Sequence, residues 1–155
     1  MVEHRIKADL GGGDFGWLKA RHHFKVTPDG NPVHRPFGAP VVWNDDEIAP
    51  GIGFPMHGYQ NMQIVSYVLA SGMPGDESAL PIRADARVPG ATLKGGQRLS
   101  SDCSGTRHAY LVPTLGAVNV NGERVEAGDG IAMTAEALLV VEALDDTEVV
   151  MVEVF

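Results

Sequence analysis

A chain of 155 residues suits one domain with a single sizeable core, and its 44% hydrophobic and 21% charged content is ordinary for a soluble globular protein. The formal charge of −8 argues against a nucleic-acid backbone or an anionic membrane surface as partner, since both need a basic stripe. The one cysteine, Cys103, excludes an intramolecular disulfide and predicts a reducing, cytoplasmic setting. No stretch has the order of a signal peptide, and no apolar run approaches the roughly 20 residues of a membrane helix.

Residues 1–14 are polar, end in GGGD, and read as a flexible N-terminal segment with little to pack. FGWLKARHHFKV (15–26) alternates well enough for an early strand, with Trp17, Leu18, Phe24 and Val26 as anchors. TPDGNPVHRPFG (27–38) is a proline- and glycine-broken surface loop. APVVWNDDEIAPGIGF (39–54) reads as a short strand, an acidic turn at NDDE and a second short strand. MQIVSYVLA (62–70) is the most strand-like stretch of the first half, rich in β-branched and aromatic side chains. SGMPGDES (71–78) is a long turn or junction, and 79–107 is weakly patterned, with turn signals at VPG and KGG.

From His108 the pattern becomes regular. HAYLVP, GAVNVNGERVEAGDGIAM, ALLVVEAL and TEVVMVEVF are apolar pieces separated by glycine- or aspartate-containing turns. Asn121-Gly122, between two alternating runs, predicts a tight type I′ hairpin. TEVVMVEVF has the period of two that marks a closing strand. Nineteen glycines and ten prolines spread between such runs favour many short strands over a helical bundle. The expected fold is therefore all-β, a double-sheet jelly-roll barrel, with a β-sandwich of another topology as its rival.

Three stretches, GWLKARHHF (16–24), NDDEIAPGIGF (44–54) and HGYQNMQIVSYVLASG (57–72), closely resemble the N-terminal domain of the pirin family, two-barrel members of the cupin superfamily. The second half, from ADARVPGATLKGG through RHAYLVPTLGAVNVNGERVEAGDGIAM, is similar instead to the C-terminal barrel of that family, best at 107–130. The resemblance implies a pirin with its middle removed. Residues 15–155 would form one composite cupin domain, a single double-stranded β-helix barrel, fused near 71–90.

It also implies a place for a metal. Cupins present two histidines one residue apart and a carboxylate four residues on, all facing inward because side chains alternate along a strand. A third histidine from a later strand completes a set suited to a borderline divalent ion. Here the first position is His57, but the second is Tyr59 and the carboxylate position is Gln63. A neutral phenol must lose a proton to bind, and an amide oxygen carries no charge. His108, in SGTRHAY, is the candidate for the last ligand, although its flanks match the barrel that carries no metal in the family. The motif thus reads as a degraded metal site with His57 as its one strong donor. No cofactor is expected; the alternative is a divalent Fe, Ni, Mn, Cu or Zn held by His57 with Tyr59, Gln63 or His108.

Two functions follow as expectations. One is a small-molecule-binding or regulatory protein that no longer does metal chemistry, takes a small aromatic or apolar ligand in its barrel and pairs as a homodimer. The other, implied by the resemblance, is a metal-dependent dioxygenase of the quercetinase type. Any catalytic pair would be His57 and Tyr59, both able to move a proton. His22 and His23, adjacent on a strand, face opposite sides and do not chelate together.

Overall fold

The structure is a computed structural model and describes residues 1–25, 28, 30–36, 38, 42–58, 60, 64–66, 86–103 and 108–154. Among them every regular element is a strand, apart from one 3-10 turn at Lys7–Asp9. The first half supplies β1 (Val2–Arg5), β2 (Gly11–Asp14), β3 (Leu18–His22) and β4 (Asn44–Ile48). The second half supplies β5 (Ala86–Arg87), β6 (Gly90–Leu93), β7 (Arg98–Asp102), β8 (His108–Leu115) and β9 (Val118–Val120). It ends with β10 (Glu123–Val125), β11 (Gly130–Thr134), β12 (Leu138–Ala143) and β13 (Thr147–Val154).

All pairings are antiparallel. One sheet runs β1-β11-β8-β13-β5, with β6 also on β13; a second runs β10-β9-β12-β7; a third, β2-β3-β4, stands apart from both. The expected all-β jelly roll is what the chain forms. The first two sheets face each other across a core of Leu111, Ile131, Met133, Val149 and Met151 on one side and Val118, Val120, Val125, Leu139 and Val141 on the other. Period-2 patterning explains the partition: on β8, Ala109 and Leu111 enter this core, while Tyr110 and Val112 emerge on the opposite face. There they meet Phe24, Ala132 and the half-buried Trp43, so the outer face of the first sheet is covered by the chain's first half.

The hairpin expected at Asn121-Gly122 joins β9 to β10, with positive φ at both residues (51° and 95°), as a type I′ turn requires. The four apolar pieces of the second half become β8, β9 to β11, β12 and β13.

Three expectations for the first half are corrected. Residues 1–14 carry two paired strands: β1 lies along β11, with Val2 opposite Met133 and Arg5 opposite Gly130. In β2, Gly12 has a φ of 117° and lies so close to β3 that an added Cβ would sit 2.0 Å from the Ala20 carbonyl oxygen, so its glycine is a condition of pairing. The acidic run NDDE is strand β4, not a turn, because Asp45 and Glu47 face Arg21 of β3 across the ladder at 3.6 and 3.1 Å. Of the strand expected at 62–70, residues 64–66 are exposed and carry no strand, and the rest lies outside the described residues. Of the anchors, Leu18 and Phe24 are buried, Trp17 is half-buried against Phe54, and Val26 lies outside the described residues. The expected junction near 71–90 lies outside them as far as residue 85.

Candidate functional site

His57 follows β4 on an exposed segment whose neighbours Phe54 and Met56 are also exposed. Its Nδ1–H donates to the Pro55 carbonyl at 2.8 Å, and its ring lies edge-on to Phe54, 6.2 Å between centroids. Donation from Nδ1 puts the lone pair on Nε2. Tyr59 and Gln63 lie outside the described residues. His108 opens β8, and its Nδ1 shares a 3.2 Å hydrogen bond with Thr134 Oγ1 of β11. It has the parity of Tyr110, on the face of the first sheet turned away from the barrel interior. Among the described residues no three His, Cys, Asp or Glu side chains are grouped so as to hold an ion.

The barrel of the second half is hollow at one end. Between the facing sheets lies a cavity of about 300 Å³, walled by Leu111, Val149 and Met151 on one sheet and Leu139 and Val141 on the other. Pro89, Gly90 and Ala91 of the β6 region and Leu99, Ser100 and Ser101 of β7 form its rim. β6 and β7 are the last strands of their sheets among the described residues, so the cavity opens where those sheets part. The alternation of β13 aims Thr147, Val149, Met151 and Glu153 inward, and Glu153 is the acid on this wall. It is 3% exposed and accepts from the Cys103 thiol, whose Sγ lies 3.6 Å from Oε1. The sequence reading missed Glu153. Its signal was the parity of TEVVMVEVF, in which Glu148 and Glu153 fall on opposite faces and only one can point outward.

A second polar cluster lies behind the first sheet, where the two halves meet. Arg5 of β1 is 3% exposed; its Nη1 donates to the His23 carbonyl at 3.0 Å, Nη2 to the Arg35 carbonyl at 3.3 Å, and Nε to Glu3 Oε1 at 2.8 Å. The guanidinium also sits over the rings of Phe24 and Tyr110, 5.1 and 5.5 Å from their centroids. His23, fully buried, shares a 2.9 Å hydrogen bond with the Tyr110 hydroxyl through Nδ1, while Nε2 has no hydrogen-bond partner. Burial, and then the Arg5 charge, push the His23 pKa down to about 3, so the ring is neutral at neutral pH. Burial likewise pushes the Tyr110 hydroxyl well above its ordinary range. The cluster offers neither a nucleophile nor an exposed acid–base pair, and its chemistry is that of a fastening.

Fold and cavity together define a cupin-type β-barrel, and comparison with known proteins narrows the class. Residues 68–154 match the quercetinase C-terminal cupin domain. A pirin-like protein of Caulobacter vibrioides is 33% identical over 230 aligned positions that take in 99% of both chains. That alignment is longer than this 155-residue chain, so the relative carries residues with no counterpart here. A quercetin 2,3-dioxygenase of Escherichia coli is 30% identical over 114 residues, 74% of this chain and 46% of that protein. The crystal structure of the bacterial pirin YhhW from Escherichia coli in complex with nickel(II) superposes with a TM-score of 0.89 at 19% identity, over 99% of each chain. The chain belongs to the pirin family of cupins.

Proposed function

We propose that this pirin-family chain is a binding protein, taking a small apolar or aromatic molecule into the second-half barrel, rather than an oxygenase. The observation that carries this is the cavity of about 300 Å³ walled by five aliphatic or thioether side chains. That volume is at the lower end for small-molecule sites and is about twice that of an apolar cavity known to accept benzene, which suits one or two rings. Burying a ring there is favoured by roughly 25 cal/mol for each Å² of apolar surface removed from water. We treat residues 15–155 as one working unit, because Phe24 and Trp43 of the first half pack on Tyr110 of the second. We place the protein in the cytoplasm, where its single buried thiol stays reduced.

The metal motif does not fit a three-nitrogen, one-carboxylate ion. Its donors are one imidazole, a phenol and an uncharged amide, and His108 faces Thr134 on the far side of its sheet. The test has two arms. Calorimetric titration with ethylbenzene is expected to show saturable binding that Leu139→Trp, which fills the cavity, abolishes without unfolding the protein. Absence of binding to the unsubstituted chain sinks the proposal.

A second reading is favoured by the relatives: a quercetinase-type dioxygenase that binds Fe, Ni, Mn, Cu or Zn through His57. Untagged protein loaded with each metal in turn is expected to hold less than one ion per chain and to consume no oxygen with quercetin. Stoichiometric metal and quercetin-dependent oxygen uptake, both lost in His57→Ala, would instead establish the dioxygenase.

A further inference from the structure

The β2-β3-β4 sheet leaves an apolar surface in water at one of its ends. Leu18 of β3 stands opposite Ile48 of β4, so the β2-β3 turn and the segment after β4 leave the sheet at the same end. Phe15 lies in that turn, Ile48 ends β4, and Ile52, Phe54 and Met56 follow it; all five are exposed, Met56 completely. The rings of Trp17 and Phe54 pack edge-on, 5.3 Å between centroids, and tie the two segments together. With ordinary side-chain areas the five expose on the order of 600 Å², at the top of the range for the largest patch on a monomer. It is also close to the ~800 Å² that each partner gives to a standard interface.

The same end holds a recess of about 240 Å³, to which Trp17, Ile48 and Ala49 give apolar walls. Lys19 and Glu47, opposite each other in the ladder, also line it and bring both signs of charge to its rim. An apolar projection, a recess and paired charges on one end complement themselves about a two-fold axis, where each residue meets its opposite on the other copy. We propose that two copies of this chain pair through this end, Met56 of each entering the recess of the other, with Lys19 facing the other copy's Glu47. Pairing through β4, the last strand of its sheet among the described residues, is disfavoured, because it would set Asp45, Asp46 and Glu47 against the same acids. A net charge of −8 on each copy opposes approach, so apolar burial holds the contact and salt strengthens it by screening that repulsion.

Sedimentation equilibrium on the full chain, from about 1 to 200 μM, is expected to show a monomer–dimer equilibrium that tightens as salt is raised. Met56→Asp should weaken it about a hundredfold, since each substitution acts twice across a two-fold axis. Met56 is wholly exposed, so the variant keeps the wild-type far-UV spectrum. Leu115→Asp, at an exposed apolar position at the end of β8, should leave the dimer as it was. A monomer throughout the range overturns the proposal and gives this end to a different protein. A dimer that survives Met56→Asp, or that loosens with salt, also overturns it by placing the contact elsewhere or on charge. Species larger than a dimer overturn the closed two-fold arrangement.

Discussion

At the scale of single residues, the two adjacent histidines of ARHHF have unlike fates. His22 ends β3 half-buried, while His23 is sealed between Trp43, Tyr110 and Arg5. That they face opposite sides was legible from the alternation of a strand. Which of them would be entombed was not, because it depends on Arg5 arriving from a strand that pairs across more than a hundred residues. The sequence also directed notice to His57, whose spacing fits a motif, and away from Glu153, whose significance lies in parity alone. Burial of His23 has a consequence in acid. Its native pKa, about 3, is below the ordinary value of 6.5, so the folded chain binds fewer protons than the unfolded chain between those values. Stability is therefore held above pH 6.5 and falls as the pH drops from there toward 3. The loss is on the order of a few kcal/mol from this one group. Thermal melts across that range are expected to show the decline, and His23→Gln, which cannot titrate, should flatten it between pH 6 and 4. A profile identical in the variant would mean that other groups set the acid limit.

At the scale of elements, the chain from β8 onward was readable because those strands all carry buried positions, so the apolar pattern appears in the letters. β12 shows it cleanly, with Leu139, Val141 and Ala143 buried and Val140 and Glu142 less so. The first half hid its strands for opposite reasons. β4 is the last strand of its sheet among the described residues, its exposed side is acidic and its partner charge lies on β3, so NDDEI contains no apolar rhythm to detect. β2 consists almost wholly of glycine, and what makes it a strand is close approach rather than side-chain packing. Substituting Gly12 tests this. Alanine at a φ of 117° is strained, and its Cβ would meet the Ala20 carbonyl oxygen at 2.0 Å. Gly12→Ala is expected to cost about 1–3 kcal/mol and to release β2 locally. Amide exchange should speed up along β2 and β3 while β8, β11 and β13 stay protected. Uniform acceleration throughout the chain would contradict the independence of the β2-β3-β4 sheet that its pairing describes.

At the scale of the whole molecule, the ladder that joins the two halves among the described residues is that of β1, which leaves the first half to run along β11 of the barrel. Beside that ladder, His4 and the Lys7 amide bond to Asp129, His23 bonds to the Tyr110 hydroxyl, and side chains pack on the outer face of the first sheet: Phe24 and Trp43 on Tyr110, and Arg5 threaded between. A guanidinium is suited to this place, since it hydrogen-bonds two carbonyls from separate loops while its flat faces lie on rings. Arg5 therefore fastens three segments that the chain order keeps apart, at residues 3–5, 23–24 and 35. The resemblance at the level of sequence divided the chain into two unlike halves, but no periodic signal in either half could disclose the fastening between them. Arg5→Ala removes the cation from both rings and leaves the His23 and Arg35 carbonyls without that donor. The expected cost is about 2–4 kcal/mol of global stability, from charged hydrogen bonds lost and polar groups left buried. Arg5→Lys should recover only part of it, because an ammonium cannot stack and cannot span both carbonyls as a planar fork does. Denaturant unfolding followed by far-UV signal and by Trp17 and Trp43 fluorescence would measure this. In the wild type the two signals should coincide; in Arg5→Ala the fluorescence change should come at lower denaturant, as the first half lifts from the barrel before the barrel itself opens. Coincident transitions in both proteins, with an unchanged midpoint, would show that the buried cation is incidental to holding the halves together.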